Sequence, residues 1–126
     1  MPGHPAGHTA RVPTDYIETS REGAEARAVL RGDFDMNATF SVEPALERLL
    51  EGPPPERLTI DLGGLTFIDS TGIGVLLRVQ SEASARGVAL VILPGPAEVQ
   101  RVFETAGLLD AFPFAGRGPA EDAGDR

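Results

Sequence analysis

The chain has 126 residues, a mass of 13.3 kDa and a formal net charge of −8, which together indicate one acidic domain of ordinary size. It has no Cys, no Trp and no Lys, and its two His, His4 and His8, stand near the start. These absences exclude a thiol nucleophile, a disulfide, a Cys-ligated metal, a lysine Schiff base, a P-loop and a Ser-His-Asp triad in the folded part, while the acidic balance disfavours nucleic acid and anionic membranes as partners.

The two ends of the chain differ in composition from its middle. Residues 1–14 have few apolar groups and three Pro, and residues 115–126 have only Ala as an apolar anchor. Neither segment can bury much apolar surface, so we predict a flexible N-terminal arm, a folded body over residues 15–114 and a disordered tail. The chain has no apolar run of the ~18 residues that a membrane span needs, and it begins without a signal-peptide pattern, so we expect a cytoplasmic protein.

The first elements of the folded body are predicted to be two strands and a helix. Residues 16–19 and 26–31 are short strand patterns joined by a turn. An apolar stripe with helical spacing follows, and it consists of Val42, Ala45, Leu46, Leu49 and Leu50. We place the start of this helix at Ser41 as its N-cap, with Pro44 in the first turn, and its end at Gly52 and the prolines that follow.

The middle of the body has the pattern of a βαβ unit. Residues 58–62 form a strand, and a loop through Gly63 and Gly64 leads to a helix over residues 70–86. The inward residues of this helix are predicted to be Ile73, Leu76, Leu77 and Ala83. The continuous apolar run over residues 88–93 is typical of a strand covered on both faces, and the two strands should be parallel with a right-handed crossover.

The last elements are a third helix and a short strand. The inward residues of the helix are predicted to be Val99, Val102, Phe103 and Ala106. The helix stops at Gly107, and residues 112–114 form a weak strand because Pro113 cannot donate a ladder hydrogen bond. The whole order, β-β-α-β-α-β-α-β, predicts an α/β domain.

One segment between a strand and a helix carries side chains that could support chemistry. Asp69, Ser70 and Thr71 supply oxygen atoms, and Gly72 and Gly74 follow in turns where glycine lowers helix propensity. The commonest role of Asp, Ser and Thr at this place is a helix N-cap, whereas two glycines indicate that something approaches the backbone closely. The segment lacks the spacing of a nucleophile elbow, a P-loop or a dinucleotide fingerprint, so we do not predict an enzyme.

Three motifs together resemble those of STAS domains, in particular the anti-anti-sigma factors of bacterial partner-switching systems. They are Phe-Ile-Asp-Ser-Thr-Gly-Ile-Gly-Val-Leu over residues 67–76, Gly-Asp-Phe-Asp over residues 32–35, and Val-Phe-Glu-Thr-Ala-Gly-Leu-Leu over residues 102–109. The match runs in the right order over residues 15–114. It implies the STAS fold, in which helices accompany a mixed, mostly parallel sheet of four to five strands.

The resemblance also implies a function. In that family an anti-sigma factor that is also a serine protein kinase phosphorylates the serine after the aspartate, which is Ser70 in this chain, with Thr71 as a less favoured acceptor. The unphosphorylated domain binds the anti-sigma factor and frees the sigma factor, phosphorylation ends this binding, and a serine phosphatase resets the domain. The implied partner-binding residues are Asp35, Asp69, Ser70, Thr71, Gly72, Ile73 and Gly74. No cofactor is implied, and a phosphate at a helix N-terminus is expected to meet free N–H groups.

Other functions stay open at the level of the sequence. Similar stand-alone domains bind the ATPase of a membrane transport complex, and others are modules of a stress-sensing scaffold. Asp33 and Asp35 suggest a metal only weakly, because two carboxylates without further ligands make a poor site. The chain also departs from the family, since residues 115–126 cannot form the final family helix. The N-terminal arm, a second copy in a homodimer or a partner would then cover the sheet.

Overall fold

The computed structural model describes residues 10–13 and 16–116 of the chain. Its elements in chain order are β1 (Ala10–Pro13), β2 (Ile17–Glu22), β3 (Glu25–Phe34), α1 (Met36–Leu50), β4 (Arg57–Ile68), α2 (Ser70–Ala85), β5 (Ala89–Leu93) and α3 (Ala97–Thr105), followed by a 3-10 turn (Leu109–Ala111). This order confirms the predicted α/β class.

The strands form one mixed sheet in the order β1-β2-β3-β4-β5. β2 pairs antiparallel with both β1 and β3, whereas β3, β4 and β5 run parallel to one another. The parallel strands are separated along the chain by α1 and α2, as a parallel connection requires. The predicted parallel pairing of β4 with β5 is therefore confirmed.

The core lies on the face of the sheet that the helices cover. Leu58, Ile60 and Leu62 alternate along β4 and are fully buried, because every second side chain of a strand points to the same face. α1 packs against β2 and β3, and α2 packs against β4 and β5. The opposite face carries ion pairs such as that between Arg27 and Asp61, at 3.2 Å, and remains polar.

β5 is covered on one face only, so the prediction of a strand buried on both faces is wrong. Ile92 is fully buried toward the helices. Val91 and Leu93 alternate with it on the other face and are half-buried, and Ala89 is exposed. An apolar run can thus leave some side chains partly in solvent, as is common for single apolar residues.

α1 begins earlier than predicted. Its N-cap is Asp35, whose carboxylate accepts a backbone N–H of the first turn at 3.1 Å, so the helix starts at Met36 and not after Ser41. The extra turn does not appear in the apolar stripe because Met36 and Phe40 face solvent. Pro44 consequently lies inside the helix and not in its first turn.

β4 is longer than predicted because the double glycine belongs to an irregular stretch of strand and not to a loop. The strand remains paired with β3 as far as Ile68, with shifts in register along the way. A Cβ on Gly64 would lie 2.9 Å from the carbonyl oxygen of Leu30. Glycine therefore lets the two strands stay together through the irregular stretch.

The inward faces of α2 and α3 follow the prediction with a few exceptions. The buried residues of α2 are Gly72, Ile73, Val75, Leu76, Val79 and Ala83. In α3, Val99 and Phe103 are buried and Val102 is half-buried. Leu77 and Ala106, which were predicted to point inward, are exposed.

The predicted last strand is only a single bridge, between Ile92 and Phe114. Pro113 lacks the N–H that a longer ladder would need. The chain is held instead by aromatic packing, because the rings of Phe112 and Phe114 meet the ring of Phe103 edge-on at centroid distances of 5.3 and 5.1 Å.

The predicted arm and tail are only partly described. Residues 10–13 of the arm form β1, whose pairing with β2 satisfies backbone hydrogen-bonding groups. Residues 1–9 and 14–15, with His4 and His8, lie outside the described residues. So do residues 117–126, on which the prediction of a missing final helix depends.

Candidate functional site

Two aspartates cap two helices at the same edge of the sheet. β3 and β4 end level, with Phe34 opposite Ile68, and each strand is followed by an aspartate that caps a helix, Asp35 for α1 and Asp69 for α2. The N–H of Asp69 donates to the carbonyl oxygen of Phe34 at 3.3 Å, which ties the start of α2 to the end of β3. The carboxyl ends of parallel strands are where α/β sheets place functional groups.

Asp69 is a firmly held N-cap. Its Oδ1 accepts the N–H of Thr71 at 3.0 Å and the N–H of Gly72 at 3.1 Å, and it also accepts the hydroxyl of Thr71. Desolvation raises the pKa of Asp69, but these hydrogen bonds stabilise the carboxylate and lower the pKa overall below its usual value. Asp69 is therefore ionised at neutral pH, and the N-cap interpretation of this residue is confirmed.

Ser70 presents the accessible hydroxyl of the site. It is the first residue of α2 and is exposed, and its hydroxyl makes no hydrogen bond within the part of the chain that the structure describes. Thr71 is half-buried, and its hydroxyl is committed to Asp69. Of these two neighbouring hydroxyls, that of Ser70 is the one that an incoming group can reach.

The two glycines of the motif have different structural roles. A Cβ on Gly72 would lie 2.7 Å from the carbonyl oxygen of Phe34 and 3.0 Å from Cγ1 of Ile68, so the close packing of α2 on the strand ends requires glycine there. A Cβ on Gly74 would meet nothing closer than Nη1 of Arg78, at 3.6 Å, which is an ordinary contact. The packing of the fold therefore explains Gly72 and does not explain Gly74.

The predicted partner-binding residues divide into accessible and buried ones. Those that reach the surface, wholly or in part, are Asp35, Asp69, Ser70, Thr71 and Gly74. Gly72 and Ile73 are buried, and they can affect a partner only through the position of α2. The role of all these residues in partner binding stays a prediction.

Three apolar side chains on the same two helices are exposed, which was not predicted from the sequence. Met36 and Phe40 on α1 are 61% and 76% exposed, and Leu77 on α2 is 39% exposed. Met36 and Phe40 are one turn apart on one face of α1, and Leu77 follows Ser70 by two turns on one face of α2. The four-residue spacing of Met36 and Phe40 could have revealed this exposed face. The predicted α1 began after Ser41, however, and therefore left both residues outside the helix.

An ion pair joins the exposed faces of α1 and α2. Nε of Arg78 donates to Oε2 of Glu43 at 2.8 Å, and Nη2 donates to Oε1 at 3.2 Å. Hydrogen bonding to Glu43 and its negative charge raise the pKa of Arg78. Nearer the ends of the helices, Nη1 of Arg86 donates to the carbonyl oxygen of Leu50 at 2.9 Å. These contacts link the two helices at two points along their exposed junction.

Residues 10–13 and 16–116 hold neither a cluster of metal-ligating side chains nor a membrane-spanning helix. No group of three or more His, Cys, Asp or Glu side chains in these ranges is placed to hold a metal ion. Asp33, one of the two carboxylates considered for a metal, accepts the hydroxyl of Thr66 at 2.6 Å. None of the helices there is both long and apolar enough to cross a membrane.

A mixed sheet with helices on one face, and an exposed serine beside a helix-capping aspartate at the strand ends, define an α/β domain of the STAS type. Residues 17–112 match the sequence model of the family described as "Mlab, STAS domain". Since this match spans more than half of the chain, the chain belongs to the STAS domain family.

Several known proteins are similar to this chain. A STAS-domain containing protein from Pseudomonas aeruginosa (strain UCBPP-PA14) is 26% identical over 93 residues, which cover 74% of this chain and 90% of that protein. An anti-sigma factor antagonist from Mycobacterium paratuberculosis has a TM-score of 0.67 at 19% identity, covering 86% of this chain and 84% of its own.

Two further solved structures have the same fold. The Bacillus cell fate determinant SpoIIAA in its phosphorylated form has a TM-score of 0.57 at 18% identity, covering 90% of this chain and 96% of its own. A sulfate transporter family protein from Wolinella succinogenes has a TM-score of 0.62 at 17% identity, covering 72% of this chain and 75% of its own. At such identities these structures establish the fold alone.

Proposed function

We propose that this protein is an anti-sigma factor antagonist that is switched by phosphorylation of Ser70. In the unphosphorylated form it binds an anti-sigma factor that is also a serine protein kinase, and a sigma factor is released. The kinase transfers the γ-phosphoryl group of ATP to the Ser70 hydroxyl, which ends the binding, and a serine phosphatase later removes the phosphate. The observation that carries this proposal is the exposed, unbonded hydroxyl of Ser70 at the start of α2.

Two of the similar structures support this regulatory class. One is an anti-sigma factor antagonist, and another, SpoIIAA, was solved in a phosphorylated form. In the proposed mechanism the chain is a substrate and a binding partner and not an enzyme, because the kinase supplies the base and the nucleotide. It acts in the cytoplasm, where ATP and the sigma factor are present.

The charges around Ser70 suggest that a phosphate acts on the partner and not on the fold. A phosphate adds about −1.5 to −2 charges at neutral pH. The sequence predicted that a phosphate would meet free N–H groups at the start of α2. The N–H groups of Thr71 and Gly72, however, already donate to the ionised carboxylate of Asp69. The phosphate would therefore stand beside a carboxylate and extend toward solvent. A coupling of about 1–3 kcal/mol from its bulk and charge would lower partner affinity about 5–150-fold.

Incubation with the kinase and ATP, followed by mass spectrometry, tests the acceptor. We expect one phosphate on the wild-type chain, at Ser70, and none on Ser70→Ala. Ser81→Ala is the matched control, because Ser81 is also an exposed serine of α2, and this variant should be phosphorylated normally. A phosphate that persists on Ser70→Ala, or partner affinity that Ser70→Asp leaves unchanged, would contradict the proposal.

A second candidate is a STAS subunit that binds the ATPase of a membrane transport complex. The similarity to the sulfate transporter family protein from Wolinella succinogenes favours a role in transport, and the ATPase as the partner belongs to this proposal alone. Co-purification separates the two candidates. A transport ATPase that stays bound equally to Ser70→Ala and Ser70→Asp would support the second candidate, whereas a serine kinase that ATP releases from the wild-type chain would support the first.

A further inference from the structure

One contact fixes how the exposed faces of α1 and α2 align. The two helices start beside the level ends of β3 and β4, and Glu43 of α1 touches Arg78 of α2. Helix neighbours recur every three or four residues, so one turn earlier Phe40 stands opposite Gly74. By this spacing the single aromatic side chain of α1, which is 76% exposed, lies level with a position on α2 that has no side chain.

This alignment produces an exposed apolar strip with a gap in it. Met36 precedes Phe40 by one turn on α1, and Leu77 follows Gly74 by one turn on α2. Glycine weakens a helix relative to alanine, and a Cβ at Gly74 would touch only the side chain of Arg78. Gly74 therefore weakens α2 although the packing of the fold does not require a glycine there. We infer that the open space above Gly74 accommodates part of another molecule.

We propose that the strip formed by Met36, Phe40, Gly74 and Leu77, the α1–α2 strip, is the docking surface for the partner that reads Ser70. This inference rests on the proposed function and adds the place and the chemistry of binding. The partner inserts an apolar side chain over Gly74, between Phe40 and Leu77. Such buried anchors in small pockets supply most of the binding energy of many interfaces.

The charges around the strip define the rest of the partner. Carboxylates flank the strip at Asp35 and Asp69, the N-caps of α1 and α2, and at Glu47 on α1, whereas Glu43 and Arg78 neutralise each other as an ion pair. The partner therefore carries Arg or Lys beside its apolar anchor. A second copy of this chain would bring the same carboxylates against one another across a twofold axis, so the occupant of this surface is a different protein and not a homodimer.

Calorimetric titration with the purified anti-sigma factor kinase, without ATP, tests the strip. We expect Phe40→Ala and Leu77→Ala each to weaken binding by roughly tenfold or more, with little change in Tm because both side chains are exposed. Leu93→Ala is the matched control, since Leu93 is a half-buried leucine on the polar face of the sheet. It should bind like the wild-type chain.

Gly74→Ala is the sharpest variant because its effects on stability and on binding should have opposite signs. The added methyl group raises Tm but fills the gap and weakens binding by roughly fivefold, which a merely structural residue would not do. If Phe40→Ala, Leu77→Ala and Gly74→Ala all bind with wild-type affinity, the α1–α2 strip is not the docking surface, even if ATP still releases the wild-type chain. If these variants bind weakly but ATP has no effect on the wild-type complex, the strip is supported as the docking surface. The proposed switch by phosphorylation of Ser70 is then contradicted.

Discussion

The carbonyl oxygen of Phe34 would lie only 2.7 Å from a Cβ at Gly72, so α2 can begin against the end of β3 only with a glycine at that position. The same oxygen accepts the N–H of Asp69 at 3.3 Å. One carbonyl group therefore positions both the cap of α2 and its first turn. Ser70 lies between these two fixed points, and its backbone is held in place from both sides.

The contrast between the two glycines predicts opposite effects on stability. Gly72→Ala should lower the free energy of unfolding by about 1–3 kcal/mol, because the methyl group overpacks the contact with Phe34 and Ile68. Gly74→Ala should raise it by about 1 kcal/mol, because alanine is the better helix former and the space is open. Urea denaturation measures both. Equal effects of the two substitutions would contradict this reading of the motif.

The lowered pKa of Asp69 predicts a pH-dependent contribution to stability. Desolvation raises this pKa, but hydrogen bonds from Thr71 and Gly72 bring it below the unfolded value of 3.8. The unfolded chain therefore takes up the proton first on acidification. The contribution is complete above the unfolded value and is lost as the pH falls through the lower pKa of the folded chain.

Urea titrations of the wild-type chain and Asp69→Asn, carried from neutral to strongly acidic pH, measure this contribution. The stability gap between them should be greatest at neutral pH and should close in acid, because asparagine keeps an acceptor at the cap but does not titrate. Glu104→Gln removes an exposed carboxylate from α3 and controls for the change in net charge. A gap that stays constant with pH would count against the ionised cap.

Thr71 is expected to support the cap without accepting the phosphate. Thr71→Ala removes the hydroxyl that donates to Asp69, and it should cost about 0.5–1.5 kcal/mol of stability. Thr71→Ser keeps a hydroxyl and should lose less. Both variants should still be phosphorylated at Ser70 by the kinase. If folded Thr71→Ala no longer takes up phosphate, the acceptor is Thr71 and the assignment of Ser70 is wrong.

The aromatic cluster at the end of the described chain is expected to be essential for folding. Phe114 is buried against Phe103, so Phe114→Ala should cost about 3–5 kcal/mol. That is a large part of the ~5–15 kcal/mol that stabilises a domain. Phe114→Leu keeps most of the apolar burial and should lose much less, and Pro113→Ala, at an exposed position, should change Tm little. Equal losses for Ala and Leu at this position would show that the ring contact itself dominates.

The elements that sequence analysis located well are those with a regular apolar period and a clear start. α2 is the best example, because Asp69 and the hydroxyl residues after it mark the cap directly before the apolar stripe. α1 was predicted six residues late, with Ser41 and not Asp35 as its N-cap, because the solvent-facing Met36 and Phe40 conceal its start. The pairing of β4 past Gly64 depends on its approach to Leu30, a contact between distant segments that a single strand pattern does not contain.

The candidate site was located from the sequence, but its internal arrangement was not. The motif pointed to Ser70 and Asp69, and both are accessible. That Asp69 already occupies the N–H groups of the first turn, and that Gly72 packs against Phe34, depends on how α2 sits on the level strand ends. Phe40 belongs to the other helix, and its inferred place level with Gly74 depends on the contact between Glu43 and Arg78, two residues far apart in the sequence.

The start of α2 is fixed, so phosphorylation of Ser70 would leave the backbone around it in place. With Gly72 packed on Phe34 and Asp69 held by its donors, a phosphate on Ser70 would have no loop to displace. Under the proposed function, the kinase and the phosphatase would bind the same backbone conformation, and the two states would differ only in the bulk and charge of the phosphate. Dissolved salt screens such a charge over about 8–10 Å, so the ionic strength of the cell would help to set how completely the partner is released.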